Sequence, residues 1–87
     1  MTKIFLDRER NLKFDLNALE IIEEMSGATI DKAVETMSMK TLKVLLYSGL
    51  VHEDADLTLE KVGAMVTFEN LQEVSVALNK CFGNLQK

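Results

Sequence analysis

Proline and tryptophan are absent from these 87 residues, glycine occurs 4 times, and cysteine and histidine occur once each. A chain so poor in breakers has few points at which a helix must stop, so helix is the favoured local structure. The single cysteine, Cys81, excludes an internal disulfide and suits a reducing compartment. No run of apolar residues approaches the roughly 20 that cross a bilayer. The segment Met1-Thr2-Lys3-Ile4-Phe5-Leu6-Asp7 lacks the apolar stretch of a signal peptide. The expectation is a cytoplasmic chain with no membrane attachment. Positive charge is also short: 10 Lys and Arg against 14 Asp and Glu leave a net charge of −4. That balance weighs against a general nucleic-acid binder, which needs excess cations to neutralise phosphates.

Hydrophobic residues make up 47% and charged residues 28% of the chain, the mix of a folded domain and not of a disordered one. The length suits one domain with a thin core, and stability at this size is often shared with a partner or with further copies. Charge is distributed unevenly. Lys3, Arg8, Arg10 and Lys13 outweigh Asp7 and Glu9, whereas Asp15, Glu20, Glu23 and Glu24 follow with no cation among them. Such an asymmetry would help copies meet head to tail, although solvated faces commonly carry charges of this kind.

The first fourteen residues alternate in the manner of β structure. Ile4 and Leu6 flank Phe5, Arg8-Glu9-Arg10-Asn11 is polar, and Leu12 and Phe14 flank Lys13, a pattern that reads as a small hairpin with one apolar face. From Asp15 the period becomes helical. Asp15 or Asn17 can cap a first helix, Leu16, Leu19, Ile22 and Met25 recur along it, and Gly27 fits its left-handed end. Ile30, Ala33, Val34 and Met37 mark a short second helix. Ser38 caps a third, which runs through Leu42, Leu45, Leu46 and Tyr47 and is expected to close at Gly49. Thr58 caps a short fourth helix, with Glu60 in its first turn and Val62 and Val66 on one side. Leu71, Val74, Leu78, Cys81 and Leu85 form an amphipathic seam along a final helix, with Phe82 beside them. The fold class is therefore mainly α: a small helical domain of four to five helices preceded by an N-terminal β-hairpin. It forms a single domain over 1–87, with the hairpin in 1–14 and the helices in 15–87.

The acidic stretch Gly49-Leu50-Val51-His52-Glu53-Asp54-Ala55-Asp56 invites a test for calcium. An EF-hand loop needs a glycine at its sixth position and a bidentate glutamate at its twelfth. Counted from Asp54, those positions hold Leu59 and Met65. The expectation is a solvated turn and no metal. His52 lies in the charged loop and Cys81 on an apolar seam, so neither has a recognisable catalytic partner. The four glycines are isolated, which excludes a phosphate-cradling loop. Acidic four-helix carrier proteins, similar in size and charge, display a modified serine in an Asp-Ser-Leu context, and no such triplet occurs. No catalytic residue, cofactor or metal site is expected. Among the five methionines, Met25, Met37 and Met65 fall on apolar helix faces and read as core. Met39, just after a cap, is the one expected to face outward.

The order of these pieces resembles a known family. Leu12-Lys13-Phe14-Asp15-Leu16-Asn17-Ala18-Leu19 opens a helix after a hairpin. Leu42-Lys43-Val44-Leu45-Leu46-Tyr47-Ser48-Gly49-Leu50 precedes an acidic turn. Leu57-Thr58-Leu59-Glu60-Lys61-Val62-Gly63 and a final helix complete the chain. From about Lys3 to Phe82 this arrangement is similar to the tail assembly chaperones of long-tailed bacteriophages and prophages, including those of gene transfer agents. The resemblance implies a non-enzymatic helper of host-cytoplasmic tail assembly, absent from the mature virion. It would coat the tape-measure protein and help recruit tail-tube subunits. Many such proteins are also made in a longer, frameshifted form. Self-association is expected through the open hairpin edge, the last helix, or both. The side chains expected to meet a partner are Ile4, Phe5, Leu6, Met39 and Val76. The alternative is a small regulatory adaptor with a helix-turn-helix in 30–50, where Lys32, Lys40 and Lys43 would touch phosphates. Its candidate reading helix is mostly Leu-Val-Leu-Leu and offers bases few polar groups.

Overall fold

The computed structural model describes residues 2–36 and 38–82. Among them two strands form an antiparallel hairpin, β1 (Thr2–Phe5) and β2 (Glu9–Leu12). Five α-helices follow: α1 (Leu16–Ser26), α2 (Ile30–Thr36), α3 (Met39–Leu50), α4 (Leu59–Met65) and α5 (Leu71–Phe82). A short 3-10 turn, Val51–Glu53, continues α3 into the acidic loop. The fold is thus mainly helical with an N-terminal hairpin. Met1, Met37 and Leu85, to which the sequence also assigned places, lie outside the described residues.

The helix ends follow from local chemistry. The Asp15 carboxylate accepts the Ala18 N–H at 3.0 Å, and the Ser38 and Thr58 hydroxyls accept the N–H groups of Thr41 and Lys61 at 3.2 and 3.1 Å. Each satisfies a backbone donor that has no partner within its own helix. Gly27 sits at φ 70°, a left-handed conformation, and donates to the Glu23 carbonyl as α1 ends.

α3 is the central element. It packs against α1, α4 and β2, and Leu42, Leu45, Leu46 and Leu50 enter a core with Leu12, Ile22, Val34, Val62, Val74, Leu78 and Phe82. Gly49 does not close this helix, which runs one residue further to Leu50. Its role is a close approach. A Cβ at Gly49 would stand 2.7 Å from Phe14 Cζ and 2.9 Å from Leu12 Cδ2. At the end of a helix the Gly49 carbonyl lacks an intrahelical partner, and the Lys13 N–H donates to it at 3.0 Å. The chain leaving the hairpin is therefore seated on the bare backbone of α3. Phe14 also meets Phe82 of α5, with ring centroids 4.6 Å apart.

The hairpin departs from the simplest alternation. Its turn is Leu6-Asp7-Arg8, and Glu9–Asn11, a polar stretch in the sequence, are strand residues paired with Phe5, Ile4 and Lys3. The cause is Arg10, which is buried on the inner face. Its guanidinium donates to both Asp7 oxygens at 2.9 and 2.8 Å and to Asp54 at 3.4 Å. A buried cation persists only when paired in this way. The bidentate contact from Arg10 holds the Asp7 carboxyl below its ordinary value and raises that of Arg10.

On α1, Leu16 and Met25 are exposed, and the buried side chains are Ala18 and Ile22, with Leu19 packed against the core. A strict step of three lags the helix by about 60° each time, so a row from Leu16 to Met25 ends on opposite sides. Only its middle can be buried. Met65, by contrast, packs partly buried against the core.

Two glycine substitutions should therefore act with opposite signs. Gly49→Ala should destabilise by about 1–2 kcal/mol, because the clash with Leu12 and Phe14 exceeds the gain in helix propensity. Gly63→Ala, whose Cβ would meet only the Lys43 side chain at 3.5 Å, should stabilise by about 0.5–1 kcal/mol. Urea unfolding measures both, and a more stable Gly49→Ala would refute the close approach. The Asp7–Arg10 pair makes a separate prediction. Because Asp7 titrates lower when folded than when unfolded, its contribution is present near neutral pH. It is lost as pH falls through and below its ordinary value of 3.8. Asp7→Asn should cost about 1–2 kcal/mol near neutrality. The gap to wild type should close in strong acid, and a pH-independent gap would contradict the assignment.

Candidate protein-interaction surface

The acidic loop is largely built into the fold. Asp54 pairs with Arg10, its Oδ1 accepts the Asp56 N–H at 3.2 Å, and its carbonyl accepts the Leu57 N–H at 3.1 Å. Glu53 accepts the Asn11 N–H at 3.3 Å. His52 Nε2 lies 2.8 Å from the Asn11 carbonyl, an acceptor only, so Nε2 carries the proton and donates. The loop is thus less solvated than expected, and its side chains clamp β2. No group of three His, Cys, Asp or Glu side chains among the described residues could hold a metal. Cys81 is partly buried, with its Sγ 3.3 Å from Thr2 Oγ1.

The five side chains expected to meet a partner fall in different settings. Ile4 and Leu6, at 6% and 8% exposure, belong to the core. This corrects their reading as surface contacts. Successive strand residues face opposite sides, so burying Ile4 turns Phe5 outward. Phe5 is 67% exposed, Met39 66% and Val76 57%. Phe5 and Val76 lie on β1 and α5, which pack together, whereas Met39 begins α3.

Met39 joins a surface that the periodicity did not disclose. It lines a cleft of about 150 Å³ with Leu42, Leu46, Val62, Val66 and Leu71. The depression continues past Met39, Val66 and Leu71 to Thr67 and Phe68. Phe68 is 97% exposed. Its turn is fixed locally: Asn70 Oδ1 accepts the Thr67 N–H, and Asn70 Nδ2 donates to the Met65 carbonyl, each at 2.8 Å. These bonds hold the α4–α5 connection so that Phe68 stands at the rim. Lys43 lies across the other side, its stem against Gly63. The arrangement presents apolar surface beside a cation and contains no nucleophile, paired acid and base, or anion cradle. The sequence signal for Phe68 was its position: an aromatic residue between two helices, on the apolar period of neither.

The segment 30–50 does form two helices, but α3 is committed to the core over Leu42 and 44–46 and again over 48–50. Lys40 and Lys43 are exposed near its first turns. The exposed side chains of α3 are gathered at its start, in Met39, Lys40 and Lys43, so little of the helix is free to lie in a nucleic-acid groove. Comparison with protein-family models, with curated proteins and with solved structures yielded no match.

If the Phe68 rim is surface and the cleft floor is core, the two should respond differently to truncation. Phe68→Ser should change unfolding free energy by no more than about 0.5 kcal/mol. Leu46→Ala, which empties a fully buried site, should cost about 2–5 kcal/mol. A large loss in Phe68→Ser would show that the ring supports the fold.

Proposed function

We propose that this chain is a non-enzymatic tail assembly chaperone that binds the tape-measure protein in the host cytoplasm. It helps recruit tail-tube subunits around that protein and associates with itself. The observation that carries the reading is the apolar surface of Met39, Val66, Leu71 and the nearly naked Phe68. It is supported by the resemblance running from about Lys3 to Phe82. Exposed apolar surface of this kind is what an amphipathic helix covers with its own apolar stripe. A tape-measure protein is long and helical, and its bare stripes need covering until tube subunits enclose them. Met39 adds a flexible thioether, suited to packing against a series of non-identical stripes. Lys43 at the cleft favours a stripe bordered by acidic residues.

The test is co-expression with the tape-measure protein encoded beside this chain's gene, followed by purification through a tag on the chaperone. Wild type should retain the tape-measure protein in soluble form. Met39→Glu and Phe68→Glu should each reduce retention by about tenfold or more, since a charge would be desolvated in the contact. Failure of folded wild type to retain the protein, or absence of a tape-measure gene from the neighbourhood, would overturn the proposal.

A further inference from the structure

The two edges of the hairpin are not equivalent. Asn11 directs its N–H to Glu53 and its carbonyl to His52, away from β1. Lys3 is paired with Asn11, so in an antiparallel ladder it is also a residue whose N–H and C=O point away from its partner strand. Phe5, paired with Glu9, shares that phase. The outer edge of β2 is closed at Asn11 by Glu53 and His52 and, just past the strand, at Lys13 by the Gly49 carbonyl, with Glu9 at the turn end outside this clamp. The outer edge of β1 presents the N–H and C=O groups of Lys3 and Phe5, and among the described residues no bond beyond the ladder reaches them. An open strand edge is a template for another strand.

We propose that a second copy of this chain covers that edge, with β1 pairing antiparallel to β1 of the other copy about a two-fold axis at Ile4. The proposal deepens the self-association stated above. Only one register uses both open residues of each strand. It sets Lys3 opposite Phe5 of the other copy in bonded pairs and Ile4 opposite Ile4. Centring on Lys3 would place two ammonium groups face to face. Centring on Phe5 would bring Lys3 opposite Asp7, which lies in the turn. In the chosen register the Lys3 ammonium reaches the Phe5 ring of the other copy, and both side chains are exposed on the same face.

α5 fits the same symmetry. Thr2 and Lys3 border a groove whose other wall carries Glu73, Val76 and Lys80 of α5, with Glu69 in the turn just before it. A two-fold axis normal to the sheet sets the two α5 helices antiparallel. The acidic start of each then faces Lys80 of the other, with Val76 near the centre. A face acidic at one end, basic at the other and apolar between is complementary to itself under this operation and repels a parallel copy. The product is a four-stranded sheet with only the two clamped β2 edges outermost.

Sedimentation equilibrium of the full chain from micromolar to millimolar concentration tests the inference. Wild type should be a dimer. Phe5→Lys, which opposes two ammonium groups, and Val76→Glu should each weaken it by about tenfold or more, with helical circular dichroism unchanged. In a Cys81→Ser background, mixing Lys3→Cys with Phe5→Cys should yield disulfide-linked heterodimers more readily than either variant alone. A monomeric wild type overturns both this interface and the self-association. A dimer insensitive to Phe5→Lys and Val76→Glu overturns this interface alone. Tape-measure retention is read separately, because Met39 and Phe68 lie outside the paired edge.

Discussion

The junction at Gly49 is the constraint on which the rest of the structure depends. The Lys13 N–H reaches the Gly49 carbonyl, and Leu12 and Phe14 press onto a backbone that carries no side chain. The junction joins the first structured segment to the end of the central helix. Once Lys13 is seated there, Asn11 falls opposite Glu53 and His52, and Arg10 comes within reach of Asp54. Phe14, held at the same place, meets Phe82 and draws the end of α5 toward the hairpin. An isolated hairpin of this length is marginal in water, and these contacts supply what it lacks.

The same junction explains why the acidic loop has no visible ligand chemistry. The Asp54 carboxylate is spent on neutralising a buried guanidinium and that of Glu53 on closing a strand edge. Arg10 could not be buried without Asp7 and Asp54, because an unpaired interior charge is far costlier than a paired one. Of the polar side chains of 49–56 that resemble ligands in the sequence, Glu53 and Asp54 accept from the protein's own donors and His52 donates to the Asn11 carbonyl.

The apolar surface divides along the same lines. Residues on the inner face of β1 and the central stretch of α3 are covered by neighbouring elements. Met39 at the start of α3 and Phe68 in the α4–α5 connection are not, and they stand uncovered beside a cleft whose floor is core. The proposed partner surface and the proposed copy-to-copy edge thus occupy separate parts of the molecule, so one protein could engage both at once.

What the sequence determined by itself was local. The caps at Asp15, Ser38 and Thr58, the left-handed Gly27 and the seam of Leu71, Val74, Leu78 and Cys81 each depend on residues within one or two turns, and each stands where the pattern put it. Tertiary structure decided what depends on distant neighbours. Gly49 looked like a helix stop, but the partners that make glycine necessary there, Leu12 and Phe14, are more than thirty residues away. Leu16 and Met25 shared a spacing with buried residues, yet only packing against α3 showed which arc of α1 is covered. Ile4 and Leu6 were separated from Phe5 by the choice of which strand face meets the helices. Phe68 became visible as surface only when its turn was placed beside Met39. Local hydrogen bonding is written in adjacent residues, whereas burial is a property of pairs that the chain brings together only on folding.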